Sequence, residues 1–279
     1  MTAYTVAIPA RDAAATIAAV VRAAAAQQPA PARVLVGDDG SRDDTAELAR
    51  AAGASIIAAG GGGLAANRNR LWRASQTEIV MFFDADAVPR PGCAAALLDG
   101  FADDRVGATG GRCVEAAAAT FADRWRATHT PQSHGDKPLA DDWMVMGLCG
   151  AFRRAALEAV GGFDERFATC GEDVEISWRL RRAGWRLSYR PDAIVDHARS
   201  DGLGGLLRQA WRHSRETGRA LTAHGQPLQP LFALTWRALS PALRREILHL
   251  DAPAAGVTAA NLLVRLAGLT AGAGRQQSD

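Results

Sequence analysis

Asp84 and Asp86 bracket Ala85 directly after the apolar run Ile79–Phe83. On an extended backbone, alternate residues point to the same side, so the two carboxylates are expected to face one another's space. Two carboxylates held that close repel unless a cation lies beside them, and a hard divalent ion such as Mg²⁺ or Mn²⁺ answers that need while leaving positions for phosphate oxygens. Taken alone, an Asp-x-Asp also reads as a solvated acidic turn. A second carboxylate pair, Asp38-Asp39, follows the β-branched run Arg33–Gly37, and a third, Glu172-Asp173, follows Gly171 at the head of a helical stretch. Acidic residues in a first helical turn also favour the positive end of the helix dipole, so this pair reads either as a proton acceptor or as a cap. His197 closes the run Val195-Asp196-His197 and is either a metal ligand or a hydrogen-bonded histidine.

These groups need a scaffold that brings them to one edge. The first half alternates β-branched runs (Tyr4–Ile8, Arg33–Gly37, Ser55–Ile57, Glu78–Phe83) with alanine-rich stretches at 13–28, 43–52 and 64–74. That βαβαβαβ rhythm predicts an α/β fold, a mainly parallel sheet flanked by helices, with ligands at the carboxyl ends of the strands. Pro9-Ala10-Arg11 is expected to leave the first strand at that edge. The rhythm fails over 114–143, where Trp125, His129, Pro131, His134 and Pro138 suggest a helix and a long loop. A strand and helix follow from Met144, then a helix over 173–183 ended by Gly184, and a helical tail after His197.

Composition narrows the function classes. The 279 residues are 48% hydrophobic and 22% charged, which is globular, and 32 basic against 30 acidic residues leave +2, too little for a nucleic-acid partner. Four scattered cysteines form no C-x-x-C pair, and the N-terminus lacks the pattern of a signal peptide; both point to the cytoplasm. The stretch 252–274 carries Asn261 and Arg265 and reads as a poor membrane span. Gly60–Gly63 lacks a dinucleotide register and reads as a flexible connection, and no P-loop motif occurs.

The ordered set Ile8-Pro9-Ala10-Arg11, Asp38-Asp39-Gly40-Ser41 with Asp44-Thr45, Ala66-Asn67-Arg68-Asn69, Asp84-Ala85-Asp86, Gly161-Gly162-Phe163-Asp164-Glu165 and Gly171-Glu172-Asp173 resembles the bacterial family 2 glycosyltransferases of the GT-A fold. The resemblance spans about two thirds of the chain. It implies a catalytic domain over 1–200, with a nucleotide-sugar and metal half (1–113) and an acceptor half (114–200), followed by a helical extension over 201–279. It implies further that Pro9, Ala10 and Arg11 pack around the nucleoside, that Asp38 or Asp39 accepts from the base, and that Arg68 lies near the donor phosphates. Alanine is usual where Asn67 stands. Asp84 and Ala85 match the ribose side of the Asp-x-Asp motif, Asp86 and His197 the Mn²⁺ or Mg²⁺ ligands, and Asp173, with Glu172 beside it, the general base.

The expected activity is inverting hexosyl transfer from a nucleotide diphosphate sugar, UDP-linked because a carboxylate suits the uracil N–H, to a glycan, lipid-linked or small-molecule acceptor. A nucleotidyltransferase and a nucleotide-sugar-binding regulator without turnover are the alternatives; the first strand lacks the Gly-rich basic loop usual for the former. Arg208, Arg212, Arg215 and Arg219 form a stripe on one helix, read as a solvated face or as peripheral contact with the inner face of a membrane.

Overall fold

The computed structural model describes residues 2–58, 60–116 and 119–274. In chain order its elements are β1 (Tyr4–Ala10), α1 (Ile17–Ala25), β2 (Arg33–Asp38), α2 (Thr45–Ala51), β3 (Ser55–Ala58), α3 (Gly63–Ala74), β4 (Ile79–Phe83), β5 (Ala87–Pro89), α4 (Cys93–Asp99), β6 (Val106–Glu115) and α5 (Phe121–His129). There follow β7 (Cys149–Arg153), α6 (Arg154–Ala159), α7 (Glu172–Arg182), β8 (Arg186–His197), α8 (Leu203–Thr222), α9 (Gln229–Leu248) and α10 (Ala252–Gly274).

The strands form one eight-stranded sheet in the order β3-β2-β1-β4-β7-β6-β8-β5. β1 and β4 are buried along their whole length, as near-continuous apolar runs in the middle of a two-sided sheet should be. β1, β2, β3 and β4 pair in parallel, and β6 pairs in parallel with β8. β7 runs antiparallel between β4 and β6, and β5 antiparallel beside β8. The sheet is therefore mixed and mostly parallel, with helices flanking it.

Two details differ from expectation. β1 continues through Pro9 and Ala10, which pair with Gly37 and Asp38; its pairing with β4 ends at Ala7, so the missing Pro9 N–H breaks no ladder on that side. Residues 84–86 do not extend β4. The Ala87 N–H closes onto the Asp84 carbonyl at 3.0 Å, and the chain turns into β5.

The residues divide into two compact units, one drawn from 1–116 and 132–198, the other from 117–131 and 199–279. The second unit contains α5, α8, α9 and α10. Its core gathers Ala122, Trp125, Leu206, Leu239 and Leu262. The Trp125 indole donates to Thr258 at 2.9 Å, and His129 lies 2.6 Å from the buried Glu246 carboxylate. α8 and α10 approach through small residues: a Cβ on Gly218 would lie 2.5 Å from the Leu269 carbonyl oxygen. By length and composition α10 suffices to cross a membrane, with mean hydropathy 1.3.

Candidate active site

The ends of β1 and β2 form the first wall. Asp38 ends β2 and accepts from the Ser41 amide at 3.1 Å and the Ser41 hydroxyl at 2.5 Å. Asp39 turns inward, is 5% exposed, and accepts from Arg70 at 2.9 Å and from the Gly63 amide at 3.0 Å. The two neighbours thus separate: Asp39 is committed to the start of α3, whereas Asp38 is half-buried at the strand end. The loop after β1 is laced to this turn, since the Asp12 amide donates to Ser41 and the Ala13 amide to Thr45, at 3.0 and 2.7 Å. Pro9 and Ala10 lie buried beside Asp38, and Arg11 projects outward with its side chain 58% exposed.

Arg68 sits at the centre. Although a guanidinium is rarely buried, this one is 1% exposed, donating to Glu172 at 2.5 Å, to Asp84 at 2.8 Å and to the Gly147 carbonyl at 3.0 Å. The Phe82 and Phe163 rings flank it. It therefore ties α3 to the end of β4 and the start of α7. Burial alone would lower its pKa, but Glu172, Asp84 and Asp173 raise it instead. Burial pushes the Glu172 carboxyl up to about 8 against the pull of Arg68, with Asp173 adding to the rise. Asp84 is likewise raised by burial, opposed by Arg68 and reinforced by Asp86 and Asp173. Asp84, Glu172 and Asp173 are thus one electrostatic cluster around a single cation, with Asp86 coupled to it through Asp84.

Asn69 holds the glycine-rich turn against this cluster. Its amide donates to the Phe163 carbonyl at 2.8 Å and accepts from the Phe163 N–H at 2.8 Å. A Cβ on Gly162, whose φ is +82°, would lie 2.5 Å from the Asn69 oxygen, so glycine is required there twice over. Asn67 donates to the Gly37 carbonyl at 2.7 Å, fixing α3 on β2. The Gly60–Gly63 segment leads into α3, whose first amides are taken: Leu64 donates to the Ala168 carbonyl at 2.7 Å.

Asp173 lies in the first turn of α7, half-buried. It accepts from the Val174 amide at 2.8 Å and from the Gly147 amide at 3.2 Å. The second contact links α7 to the segment before β7.

Asp86 faces away from Arg68, toward the end of β8. The His197 Nε2 lies 3.4 Å from an Asp86 oxygen, and Nδ1 lies 3.1 and 3.2 Å from the two Glu115 oxygens. Burial would lower the imidazole pKa, but Asp86 and Glu115 outweigh it and raise it to about 9. β6 supplies Glu115 because it pairs in register with His197 on β8, and Ala87 pairs with His197 from the other side. Cys113, Glu115 and His197 bring a thiol, a carboxylate and an imidazole within 4.8 Å of one another. Carboxylate and imidazole donors at one point fit a divalent cation, Mn²⁺ better than Mg²⁺.

The fold brings Asp84, Ala85, Asp86, Glu172, Asp173, Arg68 and His197 to one edge, with Asp38 and Asp39 at the neighbouring strand end. Sequence reasoning missed Glu115 and Arg70. Glu115 had one usable signal, an acid closing the strand-like alternation Cys113-Val114-Glu115; Arg70 had none beyond its place one residue past Asn69.

The profile described as glycosyltransferase-like family 2 matches residues 2–215. A pre-mycofactocin glycosyltransferase of Mycobacterium tuberculosis is 33% identical over 203 residues, 69% of this chain and 42% of that protein. The chain thus spans about two fifths of the length of that curated relative. Among solved structures, a mannosyltransferase from Pyrobaculum calidifontis in complex with GDP-Man and Mn²⁺ superposes with a TM-score of 0.68 at 22% identity, covering 100% of this chain and 88% of its own. Glucosyl-3-phosphoglycerate synthase from Mycobacterium tuberculosis, in complex with Mn²⁺, UDP-glucose and phosphoglyceric acid, gives 0.59 at 18% identity over 81% of each chain. These likenesses show the GT-A fold.

Proposed function

The chain belongs to the glycosyltransferase-like family 2, and from that premise we propose that it transfers a sugar from a nucleotide diphosphate sugar to an acceptor hydroxyl with inversion at the anomeric carbon. The observation that carries this reading is the convergence of Asp84, Glu172 and Asp173 around Arg68, with Asp86 coupled to Asp84 and lying beside His197. Asp86 and His197 would hold Mn²⁺ or Mg²⁺, which when bound supplies positive charge against the donor diphosphate. Asp173 removes the proton of the acceptor hydroxyl as that oxygen attacks the anomeric carbon and the bond from that carbon to the diphosphate oxygen breaks, releasing the nucleoside diphosphate. Its hydrogen bonds from Gly147 and Val174 orient the carboxylate for this task. Glu172 is a poor base here because Arg68 holds it and burial keeps its proton up to about pH 8.

Arg68 acts as a strut rather than a phosphate contact, since its end nitrogens already serve Asp84, Glu172 and Gly147. Asp38 reads the base, because Asp39 is spent on Arg70 and Gly63. A carboxylate acceptor favours uridine, and the two solved likenesses carry guanosine and uridine donors respectively. The acceptor is a glycan, a lipid-linked or a small-molecule hydroxyl, met on the cytoplasmic side, where the C-terminal helices touch the membrane.

The test is calorimetry of UDP-, GDP- and dTDP-sugars with Mn²⁺, paired with turnover of Asp86→Ala. Tightest binding of a UDP-sugar, and loss of both turnover and the Mn²⁺-dependent share of affinity in the variant, are expected. GDP bound much more tightly than UDP would overturn the uridine assignment; full activity of Asp86→Ala in EDTA would overturn the metal assignment.

A further inference from the structure

Two basic helix faces of the second unit, on α8 and on α9, compete as the surface for the proposed membrane contact. The arginine stripe of α8 is a weak candidate. Arg215 lies 2.5 Å and Arg219 3.3 Å from the buried Glu216 carboxylate, and both are only about one third exposed, so much of their charge is spent internally.

α9 is different. Its only carboxylate, Glu246, is buried beside His129, whereas Arg237, Arg244 and Arg245 are exposed. Arg237 and Arg244 stand two turns apart and so share one stripe. Large apolar side chains flank them: Leu234 is 58% exposed, Trp236 55%, Ile247 58% and Leu248 71%. A hollow of about 700 Å³ between α9 and α10 is lined by Phe232, Trp236, Leu263 and Leu266, and a second of about 500 Å³ by Trp236, Pro241, Leu243 and Ile247. A contiguous apolar surface of this kind is seldom left in water. The exposed arginines outnumber the one exposed acid nearby, Asp251, which accepts from the Ala254 amide at the head of α10, so the face selects an anionic partner.

We propose that α9 and the outer face of α10 dock on an anionic bilayer surface, with Trp236, Ile247 and Leu248 in the interface and Arg237, Arg244 and Arg245 on lipid phosphates. The arginine stems suit this, because they lie along apolar surface while the guanidinium reaches the headgroups. Docking lies flat and does not span. α10 is kept within its unit by Thr258 and Asn261, both fully buried, and by the close approach of Gly268 and Gly272 to α8. The inference rests on the proposed function only in giving that membrane contact its surface.

The experiment is co-sedimentation of the full chain with phosphatidylcholine vesicles, with and without phosphatidylglycerol, alongside its solution mass and Mn²⁺-dependent UDP binding. Binding only to the anionic vesicles, weakening with salt, is expected. Arg237→Gln with Arg244→Gln and Arg245→Gln should reduce it by roughly tenfold or more. Trp236→Ser with Leu248→Ser should abolish it at low salt. Unchanged UDP binding in both variants shows that the first unit is intact, and an unchanged helical circular dichroism signal shows that the second keeps its fold, so loss of vesicle binding is not loss of fold. Equal binding to both vesicle types, vesicle binding unaffected by either variant, or no vesicle binding with a dimer dissolved by Trp236→Ser would each overturn the proposal, the last by showing that a second copy covers the face.

Discussion

His197 has a carboxylate on each ring nitrogen, and the two have different tasks. Asp86 shares the Nε2 side and faces the proposed cation, whereas Glu115 reaches only Nδ1, at 3.1 and 3.2 Å. A metal-ligating imidazole is commonly oriented by an acceptor on its second nitrogen, and loss of that acceptor costs roughly 10–100-fold in metal affinity. Glu115→Ala is therefore expected to weaken Mn²⁺ binding by about that factor, with Glu115→Gln between it and wild type because an amide oxygen still accepts. Titration of bound Mn²⁺ by electron paramagnetic resonance reads this without turnover. Wild-type affinity in Glu115→Ala would show that His197 needs no orienting partner.

At the scale of elements, α3 carries the burden. Asn67, Arg68, Asn69 and Arg70 are consecutive, and each binds a different part of the sheet unit: β2, the cluster of acids, the glycine turn and Asp39. Removing a buried donor leaves its acceptors unsatisfied, which costs about 1–3 kcal/mol for a neutral group and more for a charged one. Arg68→Met, close in volume but uncharged, is expected to destabilise by that amount in urea unfolding; a loss below about 1 kcal/mol would mean that Arg68 behaves like a surface pair. Here the limits of sequence reading are physical. The helices and strands before Phe83 were legible because each shows one clean period, and Asp84-Ala85-Asp86 was legible as a position. Its direction was not, because the 84–86 turn depends on β5 pairing with β8, far along the chain. β8 itself was hidden by Arg190-Pro191-Asp192 in its middle, and without β8 beside β6 nothing in the sequence joins Glu115 to His197. The resemblance marked Arg68 as basic and near the donor; only packing reveals that its charge is consumed.

For the whole molecule, the raised Glu172 carboxyl and His197 imidazole set one pH trend, and the raised Asp84 carboxyl acts in the same direction. Between the ordinary carboxyl value of 4.5 and about 8, Glu172 keeps its proton when folded and loses it when unfolded. Between 6.5 and about 9, His197 does the same. The folded state then binds more protons than the unfolded one, so stability falls as pH rises across both windows. Asp103 and Asp123 are shifted down, and their contribution is complete once pH exceeds the ordinary carboxylate value, so it adds no slope between pH 6 and 9. The metal-free protein should accordingly melt at lower temperature at pH 9 than at pH 6, with the slope reduced in Glu172→Gln; a flat profile in wild type would contradict the burial of these two groups. Base-assisted sugar transfer at the proposed site is tested by Asp173→Asn, assayed for UDP-sugar affinity and initial transfer rate on one preparation. Asparagine keeps the shape and can serve the first turn of α7 equally well, so donor affinity close to wild type with transfer reduced roughly 10²–10⁴-fold is predicted. Transfer at near wild-type rate would reduce Asp173 to a helix cap.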